Sequence, residues 1–368
     1  MTEVQGIDES ISKHFKVKPR SRAGHMPSVS VVICCHNYAR FLPQAVQSCV
    51  LQQDVRLEII IVDDASTDDS VSVARSLTQQ HDNVVLIEHS VNTGPVEAFN
   101  DGARRATGEF LVRLDADDLL TPGSLSRATG LAQSFPSVGL VYGHPLHFSQ
   151  LPLPKPRLKM TAWTIWPGPA WLAARCRSGK NVITSPEVLM RRSLVAQLGY
   201  LSPLAHSHDM ELWLRLSAFA DVAYIHGSDQ AWHREHTGSL SARFVDDLVD
   251  FRERVAAFNV LFDGPAGRQP GASQLRATAC RTLVKEALDT ARHQRACGRE
   301  GLEVDQWLQL AEGLDPSVSV SMQWRRLHRR SPFQTLHPIL RPGSVALRLR
   351  GRIRSELGWR RWHRMGVF

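Results

Sequence analysis

Residues Gly108 to Leu120 read GEFLVRLDADDLL, an apolar run that ends in carboxylates. Phe110-Leu111-Val112 has the β-favouring character of a buried strand, and Asp115, Asp117 and Asp118 stand at its C-terminal end. In extended chain, side chains two residues apart lie on one side, so Asp115 and Asp117 present hard oxygen ligands together. That pairing suits Mg2+ or Mn2+, which keep several waters and also bind substrate phosphates. Acidic residues after a strand also serve in turns and caps, and Asp-Ala-Asp alone does not decide between the readings.

Upstream, the same kind of unit recurs. Val29–Cys35 is a buried-strand run followed by a turn at His36-Asn37-Tyr38 and a helix from Arg40 to Gln52. Leu57–Val62 is a second strand ending in Asp63-Asp64-Ala65-Ser66, after which Asp68 or Ser66 caps a helix to about Gln80. Val84–Glu88 is a third strand, and Pro95 opens a helix through Ala106 that Thr107-Gly108 closes. This alternation predicts an α/β fold, a Rossmann-like mixed, mainly parallel sheet flanked by helices. Ligands of such sheets bind beyond the carboxyl ends of the strands. Cys34-Cys35-His36-Asn37, Asp63-Asp64, Asn92-Thr93-Gly94 and Asp115-Ala116-Asp117 all fall at those ends, where one cleft can collect them.

Downstream, Val138–Tyr142 reads as a strand. Pro145–Pro169 is rich in Pro and Trp and lacks period. It is expected to be a long loop or subdomain, with Trp163, Trp166 and the later Trp171 either exposed for stacking or filling a core. Val188–Met190 is a short strand, and Ser193–Leu198 a helix. Asp209 stands at a helix start, where it can cap, and Glu211 can pair with Arg215 one turn on.

These blocks, VSVVICCHNYARFLPQAVQSC, LEIIIVDDASTDDS, NTGPVEAFNDGARRATGEFLVRLDADD and HDMELWLRL, resemble glycosyltransferase family 2, whose members are inverting enzymes with the GT-A nucleotide-sugar fold. The resemblance covers roughly Ser28–Ala242, and it implies that Pro145–Pro169 lies over the acceptor side, where the indoles could stack on sugar rings. It implies that Asp64 accepts a hydrogen bond from the nucleotide base, with Cys34, His36 and Asn37 lining the base pocket. It sets Asn92, Gly94 and Asn100 in the segment that closes over the nucleotide. Asp117 would then be a metal ligand and Asp115 would lie near the ribose or the metal, while Asp209 would be the general base. Arg234 and His236, in the segment Gln230–Ser241, would reach the pyrophosphate or the metal. Asp118 is expected instead to cap the following helix. The implied cofactor is Mg2+ or Mn2+, the donor a nucleoside-diphosphate sugar, UDP-sugar favoured, and the acceptor a glycan or lipid-linked hydroxyl. This sequence carries His208 where the family often has Glu before the base. No Gln-x-x-Arg-Trp motif follows, which argues for addition of one sugar at a time.

The chain has 368 residues, 43% of them hydrophobic, enough for one large or two ordinary domains. Four parts are expected: a flexible arm (1–27), the GT-A domain (28–242), a helical region (243–322) and a basic tail (323–368). The net charge of +8 belongs to the tail, which holds twelve arginines and one acid from Trp324 onward. There Val345, Leu349, Ile353 and Leu357, with Trp359 and Trp362 nearby, outline an amphipathic helix suited to an anionic membrane surface more than to nucleic acid, the alternative being a solvated basic helix that binds neither. No apolar run reaches membrane-spanning length and Met1–Met26 has no signal-type stretch, so the expected location is cytoplasmic, with the tail able to hold the protein at the membrane's inner face. Cys34, Cys35, Cys49, Cys176, Cys280 and Cys297 form no C-x-x-C pair and are expected reduced. The glycine fingerprint of a dinucleotide oxidoreductase is missing after the first strand. A non-catalytic carbohydrate- or nucleic-acid-binding protein is the remaining alternative.

Overall fold

The run Ser28–Cys35 forms β2, buried from Val29 to Cys35 and paired in parallel on both sides, with β3 (Arg56–Asp63) and β5 (Phe110–Asp115). Apolar side chains at successive positions need cover on both faces, and helices supply it. In α1 (Leu42–Val50) the buried residues are Leu42, Ala45, Val46 and Cys49, the i, i+3, i+4, i+7 stripe of one helical face. Fully burying a Leu or Val side chain stabilises by roughly 1.5–3 kcal/mol. The structure, a computed structural model, describes residues 14–19, 25–236, 238, 246–297, 301–328 and the isolated positions 353, 356, 357 and 360.

The remaining strands are β1 (Phe15–Val17), β4 (Val84–Glu88), β6 (Leu119–Leu120), β7 (Val138–Phe148), β8 (Ala162–Trp166), β9 (Leu189–Arg191) and β10 (Asp221–Arg234). They give one sheet in the order β1-β8-β10-β7-β9-β5-β2-β3-β4, with β6 against β10. The β5-β2-β3-β4 half is parallel, and β9 enters antiparallel between β5 and β7. The helices α2 (Ser70–Gln80), α3 (Gly94–Arg105), α4 (Ser124–Ser134), α5 (Gly168–Ser178), α6 (Arg192–Leu198) and α7 (His208–Ser217) connect the strands. At Gly108 a Cβ would sit 2.7 Å from the Ser30 backbone nitrogen, so only glycine lets the chain enter β5 this close to β2.

Three expectations change. The segment before residue 28 is not all a loose arm, because Phe15–Val17 pairs antiparallel with β8 as an edge strand. Pro145–Pro169 is largely sheet: β7 runs through Pro145 to Phe148, and β8 occupies Ala162–Trp166. Pro145 is tolerated because β9 pairs only with Leu140 and Val141, leaving that side of β7 free of a ladder partner at Pro145. Trp163 and Trp171 are each 1% exposed, which removes them as platforms for a sugar.

The third concerns the domain boundary. The chain divides into two compact units, Met1–Leu172 with Ile183–Gln269, and Ala173–Val182 with Pro270–Phe368. The first runs past the boundary expected at 242 because the helix α8 (Asp247–Asp263) packs on α7, and Glu253 accepts the N–H groups of His206 (2.8 Å) and Ser207 (3.2 Å) ahead of it. The second contains α9 (Ala272–Ala296) packed on α10 (Leu302–Leu314), with α11 (Met322–His328) following. Among the described residues no helix is long and apolar enough to cross a membrane. The amphipathic helix expected in the tail lies almost wholly outside the described residues, and so does the end of the segment Gln230–Ser241. All six cysteines are free thiols.

Candidate functional site

Two acidic turns flank the carboxyl end of β2. Register pairs Cys35 with Asp63 on one side and Cys34 with Asp115 on the other, so the turns stand about two strand spacings, ~10 Å, apart.

At the β3 turn the carboxylates are enclosed by donors. Asp63 accepts from Ser66 N–H (2.9 Å) and Ser66 O–H (2.6 Å). Asp64 accepts from Thr93 N–H (2.8 Å), Thr93 O–H (2.9 Å), His89 Nδ1 (2.9 Å) and Gly94 N–H (2.7 Å). Burial works against its charge, but these donors outweigh burial and hold its pKa below the ordinary carboxylate value. Gly94 takes φ +86, which lets the chain turn so that its N–H meets Asp64. His36 donates Nδ1–H to the Asp64 carbonyl (2.8 Å), since a carbonyl only accepts, and its Nε2 then faces the amide groups of Asn37 and Asn92 at 3.2 Å.

At the β5 turn the carboxylates crowd one another. Asp118 N–H donates to the Asp115 carbonyl (3.0 Å), folding Asp115–Asp118 back on itself, and Leu119-Leu120 then pairs with Ala231 and Trp232. Asp118 is 1% exposed and accepts from Arg234 N–H (2.8 Å) and His233 Nδ1 (3.1 Å). It therefore latches β10 to the turn; it is not a helix cap, and α4 starts instead after Gly123 at φ +72. Burial opposes protonation of His233, but the Asp118 charge lifts its pKa to about 9. Burial, then the charges of Asp118 and Asp115, push Asp117 up to about 8. The Asp117 carboxylate meets His236 Nε2 at 2.9 Å. Burial and the charges of Arg40 and Arg234 keep the His236 pKa below the usual histidine value, which favours neutral imidazole. Arg234 donates to the Asp117 carbonyl (2.8 Å) and to Gln44 (2.9 Å), and its guanidinium lies 4.4 Å and 4.5 Å from the Phe41 and Phe148 ring centres.

Arg113 links this turn to α7. It is 4% exposed within β5, donates to Asp115 (2.8 Å) and approaches the Ser185 hydroxyl at 3.5 Å. Ser185 O–H donates to Asp209 (2.9 Å). Asp209 lies in the first turn of α7, half-buried, with Ser207 in the capping position, so it is not the N-cap. Burial raises its pKa above the ordinary value, against the opposing pull of Arg113 and Ser185.

The β5 turn fits a divalent cation. Asp117 is a carboxylate whose charge is disfavoured by burial and by two neighbouring acids, beside an imidazole held neutral, a donor set that a cation would relieve. Among the described residues no three His, Cys, Asp or Glu side chains form a ready-made metal cage. An ion there would be held by one or two carboxylates together with substrate phosphates.

The expected residues divide into two groups. Asp115, Asp117, Asp209 and His236 keep side-chain atoms at the site, and Arg113 and Ser185 join Asp115 to Asp209. Asn100, 4% exposed, gives one Nδ2–H to the Leu201 carbonyl (3.1 Å) and accepts the Leu201 N–H at Oδ1 (2.9 Å), so it holds the backbone at Leu201. Asn37, at φ +60, accepts from Thr67 N–H (2.7 Å) and Asp68 N–H (3.2 Å), tying the first two turns together. Cys34 faces inward beside Arg113, and burial pushes its thiol up to about 12. Sequence reasoning missed Arg113 and Ser185. A charged residue inside the apolar run FLVRLD was the available signal, since arginine is almost never buried without partners.

Residues 30–199 match the family model Glycosyl transferase family 2. An uncharacterized glycosyltransferase of Nostoc sp. is 40% identical over 114 residues, which cover 31% of this chain and 35% of that protein. The chain spans 31–41% of the length of the first curated relatives it matches. The S. aureus TarS fragment 1–349 in complex with UDP-GlcNAc superimposes with a TM-score of 0.56 at 15% identity, covering 91% of this chain and 92% of that one. A mannosyltransferase from Pyrobaculum calidifontis in complex with GDP-Man and Mn2+ gives 0.51 at 20% identity, covering 84% and 86%. At these identities the likeness is one of fold, the GT-A type.

Proposed function

From the match of residues 30–199 to glycosyltransferase family 2, we propose that the protein transfers a single sugar, with inversion, from a nucleoside-diphosphate sugar to an acceptor hydroxyl. The observation that carries this reading is the run Asp115–Arg113–Ser185–Asp209, which ties a raised-pKa carboxylate at the start of α7 to the acids at the end of β5. One end suits a diphosphate with its cation, and the other suits proton removal.

In this reading the donor lies across the ends of β2, β3 and β5. The Asp64-held turn at Thr93-Gly94 shapes the nucleotide pocket, with His36 and Asn92 at its wall. Asp115 and Asp117, with His236, would hold Mg2+ or Mn2+. A cation bound there neutralises charge on the departing diphosphate. Asp209 takes the acceptor's proton as that oxygen bonds to the anomeric carbon. The bond from that carbon to the diphosphate oxygen breaks on the opposite face. A base works best when its pKa is drawn toward the operating pH, and burial moves Asp209 in that direction. UDP-sugar is the expected donor class; the TarS complex holds UDP-GlcNAc, whereas the archaeal neighbour holds GDP-Man.

The test is release of nucleoside diphosphate from UDP-, GDP- and dTDP-sugars, with Mn2+ and with EDTA. The reading expects turnover of one donor class that depends on the cation. Binding of sugars or nucleic acid with no turnover of any donor would favour the non-catalytic alternative.

A further inference from the structure

Resting on the assignment of Asp209 as base, we infer that Ser185 is the positioning residue of that base, its hydroxyl fixing the carboxylate from a turn held in a strained backbone conformation. Ser185 adopts φ +139, a region that residues with a side chain rarely occupy. Backbone strain of this kind persists only where the surroundings over-determine it. Glu187, 4% exposed, accepts the N–H groups of Thr184 (2.6 Å) and Ser185 (3.2 Å) and so clamps the turn. The product of that constraint is one hydrogen bond: Ser185 O–H reaches Asp209 Oδ2 at 2.9 Å, with Arg113 Nη1 3.5 Å from the same hydroxyl.

The Asp209 carboxylate is thereby held at both oxygens. Oδ1 accepts from Met210 N–H at 2.5 Å, a contact within its own helix, and Oδ2 accepts from a different part of the chain. The last side-chain torsion of aspartate has broad minima, so one contact leaves the carboxylate plane free to turn, whereas two fix it. A base fixed in plane keeps a lone pair aimed at an incoming hydroxyl. The Ser185 hydrogen bond also favours the ionised form, against burial. The charged or titratable groups that face Asp209 are Arg113 from β5 and His206 from the segment before α7. Both favour the ionised carboxylate, and replacing Ser185 removes neither.

Three substitutions separate the hydroxyl from the backbone. S185A keeps the Cβ, so it deletes the hydroxyl without changing the strain. S185G deletes the hydroxyl and relieves the strain, and S185T keeps the hydroxyl. In the full-length enzyme, turning over the donor sugar identified by nucleoside diphosphate release, S185A and S185G should lower kcat roughly 10- to 100-fold with donor KM within about 2-fold of wild type. The acidic limb of the kcat profile should move to higher pH in both, and S185T should recover most of the rate. S185A with wild-type kcat and an unmoved acidic limb, in an enzyme that Asp209→Asn inactivates, would overturn the role of Ser185 alone. Full activity in Asp209→Asn would overturn the base assignment and this inference with it. The melting temperature of each variant identifies any that fails to fold, and a folded S185T/S185G pair decides the matter if S185A does not fold.

Discussion

The acidic turns after β3 and β5 lie side by side at one edge of the sheet, yet their electrostatic surroundings are opposite. At the β3 turn, Asp64 is saturated by backbone and side-chain donors and its pKa lies below the ordinary value. At the β5 turn, burial and then the neighbouring charges of Asp118 and Asp115 push the Asp117 pKa up to about 8. The same residue type thus serves two ends. On the proposed reading, a carboxylate whose charge the fold already satisfies with hydrogen bonds shapes the turn, and one that the fold leaves in deficit calls for a partner from outside. Asp209 belongs with the second kind, since its pKa too is raised by burial.

Replacing the deficit residues should cost activity and spare stability. Asp209→Asn should lower kcat by about 10³-fold or more while the melting temperature stays near that of wild type, checked by steady-state turnover and calorimetry. Full turnover would erase the distinction between the two turns. The pH profile sharpens it: Asp209 must be ionised to act and burial raises its pKa, so kcat/KM should be full above that pKa and fall as pH drops through it. The fall should come at higher pH than an exposed aspartate would give.

Replacing scaffold residues should do the reverse. Asp64→Asn should cost roughly 1.5–3 kcal/mol of stability, the order associated with hydrogen bonds to a charged group, as read from denaturant midpoints. Because the folded pKa of Asp64 is lowered, its contribution to stability is present above the unfolded pKa and is lost as pH falls through the folded value. The acid arm of the stability curve should therefore flatten in the variant. Asn100→Ala should have the smallest effect on turnover, within about 5-fold, with a stability loss of about 1–3 kcal/mol because the Leu201 backbone groups lose their buried partners.

The contrast also explains what could be read along the chain. The parallel half was legible because buried strands are written as contiguous apolar runs: Val84–Glu88 matches its strand, and Val29–Cys35 and Leu57–Val62 differ by a residue at one or both ends. The edge strand Phe15–Val17 was not, because three residues with a central lysine carry no periodic signal and take their structure from β8. β8 itself, AWTIW, was obscured by the prolines before it and by the indole of Trp163, which the core buries. In the site, acids at strand ends stood out by residue type. What they do depends on donors 24 to 30 residues away in sequence, such as Thr93 and Gly94 for Asp64 and Ser185 for Asp209, and local pattern does not encode those meetings. The resemblance assigned Asn100 to the ligand, and the fold also uses it to hold Leu201.

The most direct test needs no knowledge of the acceptor. Slow hydrolysis of the donor uses water in the acceptor's place, and proton NMR of the first-formed sugar reports its anomeric configuration before mutarotation. Displacement assisted by Asp209 predicts the configuration opposite to that of the donor, formed by the wild type and suppressed in Asp209→Asn. A product that retains the donor's configuration, or one released equally fast by the variant, would contradict the account.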